Sequence, residues 1–325
     1  MRAPSLSTLM SLAAEPPADS RLVRFDVPGS LWIGFLIAIV VMLLIDLLVL
    51  HRDAHEISVR EATISSAVWI AIGVGFTAVM WWTLGGAAAG QYITGYVIEK
   101  SLSVDNVFVL AVIFSYFSVP GRVQHRVLFW GIFGALVLRA IFIFAGVALL
   151  ERLEWLLFAF GGLLLFTAFR VATHDAEEIH PERNPVLKLV RRLVPVTADF
   201  DGPKLFTREN GRRIATPLFV VLVLIEATDV VFAVDSVPAI LAVSRDPFVV
   251  FSSNALAILG LRALYFVLEG ARSRLLYLNR GLGVILFYVG AKMIISPWYH
   301  IDTLVSLAVI AVVLTATVVY SLRAT

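Results

Sequence analysis

The sequence predicts an all-α, polytopic membrane helix bundle of about nine spans, with a three-helix inverted repeat inside it. Three observations carry that prediction. Apolar residues make up 59% of the 325 and charged residues only 15%, with a mean hydropathy of +0.89, whereas an average soluble domain carries roughly 25% charged residues. The apolar residues fall in runs of the roughly 20 residues a helix needs to cross a bilayer. A pattern of acids inside two of those runs recurs with its order kept.

Taken in order, the runs predict spans near residues 31–50, 66–86, 92–117, 127–150, 154–172, 215–243, 248–268, 281–296 and 301–322. The third and sixth contain charges that a hydropathy scan penalises, but the rest of each run is strongly apolar. Residues 1–30, with one early Arg and a short apolar patch, make a poor signal peptide and are expected to be a disordered extracytoplasmic tail. Residues 31–322 then form one transmembrane transporter domain, with a cytoplasmic loop at 173–214, and 323–325 end the chain in the cytoplasm.

Orientation follows from the basic residues. Nine spans put sixteen of them in the loops at one set of ends, eight in 173–214 alone, and leave Arg2, Arg21, Arg24, Arg152 and Arg245 at the other. Positive charge stays inside, so the N-terminus is expected outside and the C-terminus in the cytoplasm. The pI near 9.0 reports this asymmetry; at a formal charge of +2 it does not point to nucleic acid. With no cysteine, disulfides, zinc-thiolate sites and thiol redox chemistry are excluded.

One arrangement of charges occurs twice, across three consecutive spans each time. Glu99 precedes Asp105-Asn106-Val107 by six residues, and Asp229 precedes Asp235-Ser236-Val237 by six. The next span of each copy holds a lone arginine, Arg139 or Arg262, followed by a base in the third, Arg170 or Lys292. Three crossings are an odd number, so the second copy is inverted relative to the first, a transporter architecture with its site near the midplane.

Asp46, Glu99, Asp105, Glu226, Asp229 and Asp235 all lie inside expected spans, where each costs about 2.5–3.5 kcal/mol near a helix centre. Arg139, Arg262, Arg170 and Lys292 are candidate structural ion-pair partners; a bound cation or water is the alternative compensation. The acids outnumber the midspan arginines and are joined by neutral oxygen donors, Asn106, Thr228, Ser236 and Asn254. An oxygen-only set suits hard divalent ions such as Mg2+, Ca2+ and Mn2+, which makes Asp105, Asp229, Asp235, Glu99, Glu226, Asn106, Ser236 and Asp46 the candidate metal ligands. Asp46, one turn from its span's end, has a second reading as a partner of Arg52.

Six residues turn an ideal helix so that Asp229 and Asp235 stand about 120° apart in projection and about 9 Å along the axis. Pro238 removes an amide and crowds the Val234 carbonyl, so this helix is expected to kink or unwind at Asp235 and Ser236, freeing a carbonyl for an ion. Glu226 and Asp229, three apart, share a face. In the 173–214 loop, His174, Asp175, Glu177, Glu178, His180 and Glu182 form either a solvated face or a metal-binding cluster. Trp81-Trp82 and Trp298-Tyr299-His300 fall at span ends, where aromatic belts stand.

Several segments carry a family resemblance: Glu99–Phe108 (EKSLSVDNVF), Trp130–Arg139 (WGIFGALVLR), Thr216–Leu218 (TPL), Asp229–Ile240 (DVVFAVDSVPAI) and Ser253–Tyr265 (SNALAILGLRALY). In these the chain resembles the TerC family of integral membrane proteins from about residue 31 to 322. The resemblance implies a bacterial inner-membrane protein linked to manganese export and to tellurite resistance, related to the lysine-exporter superfamily. An acidic pocket in a low-dielectric medium repels an oxyanion, so the residues fit Mn2+ and disfavour tellurite as the species carried. Three readings are weighed. The first is an exporter of a hard divalent cation, with the bilayer and the ion as its partners, proton exchange as its coupling and no prosthetic group. The second is a membrane scaffold or stress-resistance component with structural ion pairs. The third, an intramembrane enzyme, lacks any Ser/His or His-Glu-x-x-His arrangement in a span, and no nucleotide motif points to ATP coupling.

Overall fold

The computed structural model describes residues 25–46, 59–153, 155–173, 185–209, 212–269, 277–299 and 301–324. Their helices are α1 (Gly29–Ile45), α2 (Val59–Leu84), α3 (Gly86–Tyr116), α4 (Gly121–Arg152), α5 (Leu156–Thr173), α6 (Pro185–Leu193), α7 (Pro217–Leu241), α8 (Pro247–Leu259), α9 (Leu261–Glu269), α10 (Leu278–Ile295) and α11 (Thr303–Ala324). The strands β1 (Phe206–Glu209) and β2 (Arg212–Ala215) form an antiparallel hairpin with Phe206 opposite Ala215. The nine expected spans correspond to α1–α5, α7, the α8–α9 pair, α10 and α11, while α6 and the hairpin belong to the long loop. The expected N-terminal tail and the His174–Glu182 cluster lie outside the described residues.

Local chemistry sets the boundaries. Gly85, at φ +89°, makes the whole α2–α3 connection, a backbone region an L side chain enters only at a cost. Pro217 and Pro247 open α7 and α8 at the first turn, where a missing amide costs nothing. Asp246 caps α8 by accepting from the amides of Phe248 and Val249 at 2.9 and 3.1 Å, and its other oxygen accepts from the Phe25 amide at 3.0 Å. That carboxylate ties the chain ahead of α1 to the α7–α8 connection.

Among the described residues, four helical stretches are long and apolar enough to cross a membrane: Arg60–Leu84, Gly121–Leu150, Pro217–Leu241 and Pro247–Val267. Shorter apolar stretches lie in Gly29–Ile45, Leu156–Phe169 and Val305–Ser321. The 31-residue α3 misses that description because it holds Glu99, Lys100 and Asp105. The α8–α9 run is the core of the bundle, with 94% of its apolar window buried in protein. Trp82 and Trp298, at the ends of α2 and α10, are exposed, as interfacial anchors are.

The packing exchanges the two copies. The first helix of the first copy, α3, lies against the second of the other, α8; the second, α4, lies against the first, α7; and the third helices, α5 and α10, lie against each other. Such an exchange is what a two-fold relation between three-helix units produces. The α5–α10 seam is set by glycine: a Cβ on Gly290 would stand 3.0 Å from the Gly161 carbonyl oxygen, and one on Gly161 3.2 Å from that of Gly290.

One expectation is corrected. α7 does not unwind at Asp235 and Ser236; it runs unbroken through Pro238 to Leu241. Pro238 stands in the last turn, where the Ala242 amide bonds its carbonyl at 3.0 Å, and α3, α4 and α5 pack on the helix. The loss of one ladder bond near a helix end is absorbed there. The discontinuity falls in the next span, at Gly260 between α8 and α9.

Candidate functional site

Acids from both copies meet at one arginine. Arg139, on α4 and 1% exposed, is ion-paired through Nη1 with Glu99 of α3, itself fully buried. Its Nε and Nη2 donate to Oδ2 and Oδ1 of Asp229 on α7 at 3.3 and 3.1 Å, and Nη1 also donates to Ser236 Oγ at 3.1 Å. Glu99 and Asp229 are the first acids of their respective copies, so the guanidinium joins equivalent positions of the repeat. Burying three charges is tolerable because the planar fork satisfies two carboxylates at once. One carboxylate oxygen of Glu99 has no hydrogen-bond partner.

Beside this cluster is a cavity of about 30 Å³, lined in part by Asn106, Ile132, Ala135, Asp229 and Phe232. That exceeds the roughly 10–15 Å³ that one water needs. Glu226, one turn before Asp229, packs its carboxyl over Gly134 of α4, where a Cβ would overlap it, and its Oε2 has no hydrogen-bond partner. The glycine lets α7 bring a carboxylate against the α4 backbone. Thr228 turns away, donating to the Leu224 carbonyl at 2.7 Å.

The remaining candidates divide. Asp235 does not share the Arg139 cluster with Ser236; its Oδ1 accepts from Thr167 of α5 at 2.9 Å. A straight α7 sends neighbouring side chains to different faces, so Asp229 and Asp235 address different helices. Asp105 stands on α3 and Arg170 on α5, with side chains outside the described part of the structure. Asn254 is buried on α8, and its Nδ2 has no hydrogen-bond partner. Among the described residues, no three His, Asp or Glu side chains converge as a metal-binding group.

Two of the expected ion-pair partners lie away from the Arg139 cluster. Arg262 is a buried ion-pair partner, and its acid is Asp46 at the end of α1, which Nη2 meets. Beyond the turn at Gly260, α9 packs on both α2 and α3, and from there Arg262 reaches the end of α1. Lys292 donates to Ser306 Oγ on α11 at 2.7 Å instead of meeting an acid of the paired helices, because α10 is flanked by α5 and α11.

Sequence reasoning passed over Lys100, whose Nζ donates to the Ala257 carbonyl on α8 at 3.1 Å. An isolated glycine in an apolar run, Gly260, was the available signal that a helix stops there. Outside the spans, Asp201 accepts from Thr207 Oγ1 at 2.7 Å and from Lys204 Nζ at 3.0 Å. The Thr207 hydroxyl first, and the Lys204 ammonium after it, hold its carboxyl below the usual aspartate value.

Comparison with known proteins places these residues among relatives. Residues 84–325 match the model of the integral membrane protein TerC family. The uncharacterized membrane protein STKORF319 of Myxococcus xanthus is 50% identical over 295 residues, 91% of this chain and 92% of that one. The putative membrane-bound redox modulator Alx of Escherichia coli strain K12 is 46% identical over 296 residues, 88% and 92% of the two chains. An uncharacterized membrane protein of Rickettsia felis is 37% identical over 278 residues, 86% and 92%. No solved structure matches the chain.

Proposed function

This chain belongs to the TerC family of integral membrane proteins, and we propose that it exports a hard divalent cation, Mn2+ foremost, from the cytoplasm by exchange with protons. The observation that carries the reading is the meeting of Glu99 and Asp229, equivalent acids of two interlocked copies, beside a small cavity lined by Asn106 and Asp229. Oxygen donors of this kind suit a hard ion. Arg139 and Glu99 belong to the first copy and Asp229 to the second. Rocking of one copy against the other keeps the Arg139–Glu99 pair and releases Asp229 to a cation, with Asn106 and Glu226 within the same helices. Asp105 and Asp235, equivalent to each other, serve further along the path, and Asp46 lies apart with Arg262.

Glu226 suits the proton-carrying role: its carboxyl is packed against α4 and one oxygen is unpartnered, open to a proton. The excess of basic residues in the loops at one set of helix ends supports an inner-membrane orientation with the N-terminus outside and the C-terminus cytoplasmic. The Alx relatives are named as putative redox modulators. A chain with no cysteine reaches redox balance through the metal it carries and not through thiol exchange.

The buried ion pairs of Arg139 with Glu99 and Asp229, and of Arg262 with Asp46, favour a second reading, a scaffold or stress-resistance component whose buried charges are structural. The experiment compares cellular manganese on expression of the wild type and of Asp229→Asn, Asp105→Asn, Asp235→Asn and Glu226→Gln, with membrane abundance measured in parallel. Lowered manganese with the wild type, and no lowering with variants that reach the membrane in normal amounts, is the expected result. Variants that still lower manganese overturn the ligand assignment; variants that vanish from the membrane favour the scaffold. In proteoliposomes, Glu226→Gln is expected to lose the response of flux to an imposed pH gradient.

A further inference from the structure

The α8–α9 run is one apolar stretch in sequence, yet the helix stops at Leu259 and resumes at Leu261, with Gly260 at φ −82° and ψ 2°. Its counterpart α4 is a single 32-residue helix. At the turn the Gly260 amide bonds the Ile258 carbonyl and the Leu264 amide bonds the Gly260 carbonyl at 3.1 Å, and the last carbonyls of the stopped helix carry the negative end of its dipole. At the centre of a bundle in lipid, such carbonyls need another partner.

Lys100 supplies it. From α3, its Nζ donates to the Ala257 carbonyl at 3.1 Å. The same nitrogen lies 2.8 Å from the place a Cβ on Gly260 would take, and the Cβ of the buried Trp69 lies 2.9 Å from that place. The ammonium thus sits in a notch bounded by the end of α8, the glycine turn and a tryptophan of α2. Glu99, its neighbour in sequence, is already held by Arg139, and Asp46 is held by Arg262.

We infer that the notch at the end of α8 is a monovalent-cation site, and that the Lys100 ammonium fills it as a cation tethered to the other copy of the repeat. Half-helix ends with free carbonyls hold coupling Na+ in discontinuous transporter helices; an ammonium has the same charge and three donors for the same oxygens. The chain therefore carries its own cation at this point and needs none from solution. Removing the side chain exposes a site for a small ion.

The test uses full-length protein in detergent, with thermal unfolding followed in N-methyl-D-glucamine, sodium and methylammonium chlorides at equal ionic strength. Melting of the wild type is expected to be the same in all three. Lys100→Ala is expected to melt lower in the glucamine salt and to recover in sodium or methylammonium, which fit the vacated notch. Lys100→Gln, which keeps a donor and bulk without charge, is expected to melt low in all three. The inference is overturned if Lys100→Ala melts alike in the three salts, if the wild type shifts as much as the variant, or if Lys100→Gln matches the wild type. Where Lys100→Ala does not accumulate, the Lys100→Gln result decides alone. None of these readouts involves a divalent ion, so they stand or fall apart from the proposed export.

Discussion

Arg139 on α4 grips both carboxylate oxygens of Asp229 on α7, with Nε at 3.3 Å from one and Nη2 at 3.1 Å from the other. Its remaining nitrogen, Nη1, is taken by Glu99 and Ser236, so four of the five guanidinium donors are engaged by side chains of the cluster. Arg139→Gln leaves two buried acids facing each other. Breaking such a pair costs about 3–5 kcal/mol, and the variant is expected to lose membrane abundance and melt well below the wild type. Arg139→Lys is expected to restore only part of this, because a point charge cannot span both acids; thermal unfolding in detergent ranks the three.

Asp46 and Arg262, 216 residues apart, join the end of α1 to α9 inside the protein. Each single neutral variant, Asp46→Asn or Arg262→Gln, removes one charge of this buried pair, whereas the double variant removes both. The double is expected to be more stable than the sum of the singles predicts, with a coupling of about 0.5–3 kcal/mol. A double-mutant cycle on unfolding measures it; additive effects would mean the pair does not hold α1.

Gly161 and the adjacent Gly162 make opposite predictions from one helix turn. A methyl at 161 would press on the Ile294 side chain and the Gly290 backbone, while one at 162 meets nothing within 4 Å. Gly161→Ala is expected to destabilise by about 1–3 kcal/mol through overpacking, and Gly162→Ala to be neutral or slightly stabilising. Melting temperatures of the two purified variants check the contrast.

Asp201 reports the fold of the long loop through its titration. Its depressed folded value means that the contact with Thr207 and Lys204 adds stability above the ordinary aspartate value of ~3.9 and loses it as pH falls through the lower, folded value. Thr207→Val removes the first cause and is expected to raise the Asp201 titration midpoint toward the ordinary value. Carboxyl-carbon NMR on a selectively labelled protein reads the midpoint directly.

The spans were legible because lipid demands long apolar runs, and the charge pattern located the two copies. Arg139 also stood out as a partner for the intramembrane acids. What the sequence hid is contact between distant elements. Arg262 was legible as an ion-pair partner, though not which acid it would meet, and nothing near Lys100 announces the Ala257 carbonyl. Pro238 drew attention to the wrong helix: a proline in a last turn is absorbed, whereas Gly260, which a hydropathy scan treats as neutral, marks the real interruption. Side-chain direction was half readable. The six-residue spacing put Asp229 and Asp235 on different faces, and on a straight α7 they reach α4 and α5 respectively.

The exchanged packing sets an order of events during synthesis. α3 and α4 leave the ribosome before α7 and α8, the helices that complete their buried faces. In that interval Arg139 and Glu99 already have each other, since both lie in the first unit, and the pair lowers the cost of leaving an arginine in lipid. Asp229 arrives some 90 residues later to a guanidinium already in place. The older pair thus acts as a template for docking the newer unit, and a nascent chain stopped before residue 217 lacks the acid that Nε and Nη2 of Arg139 grip.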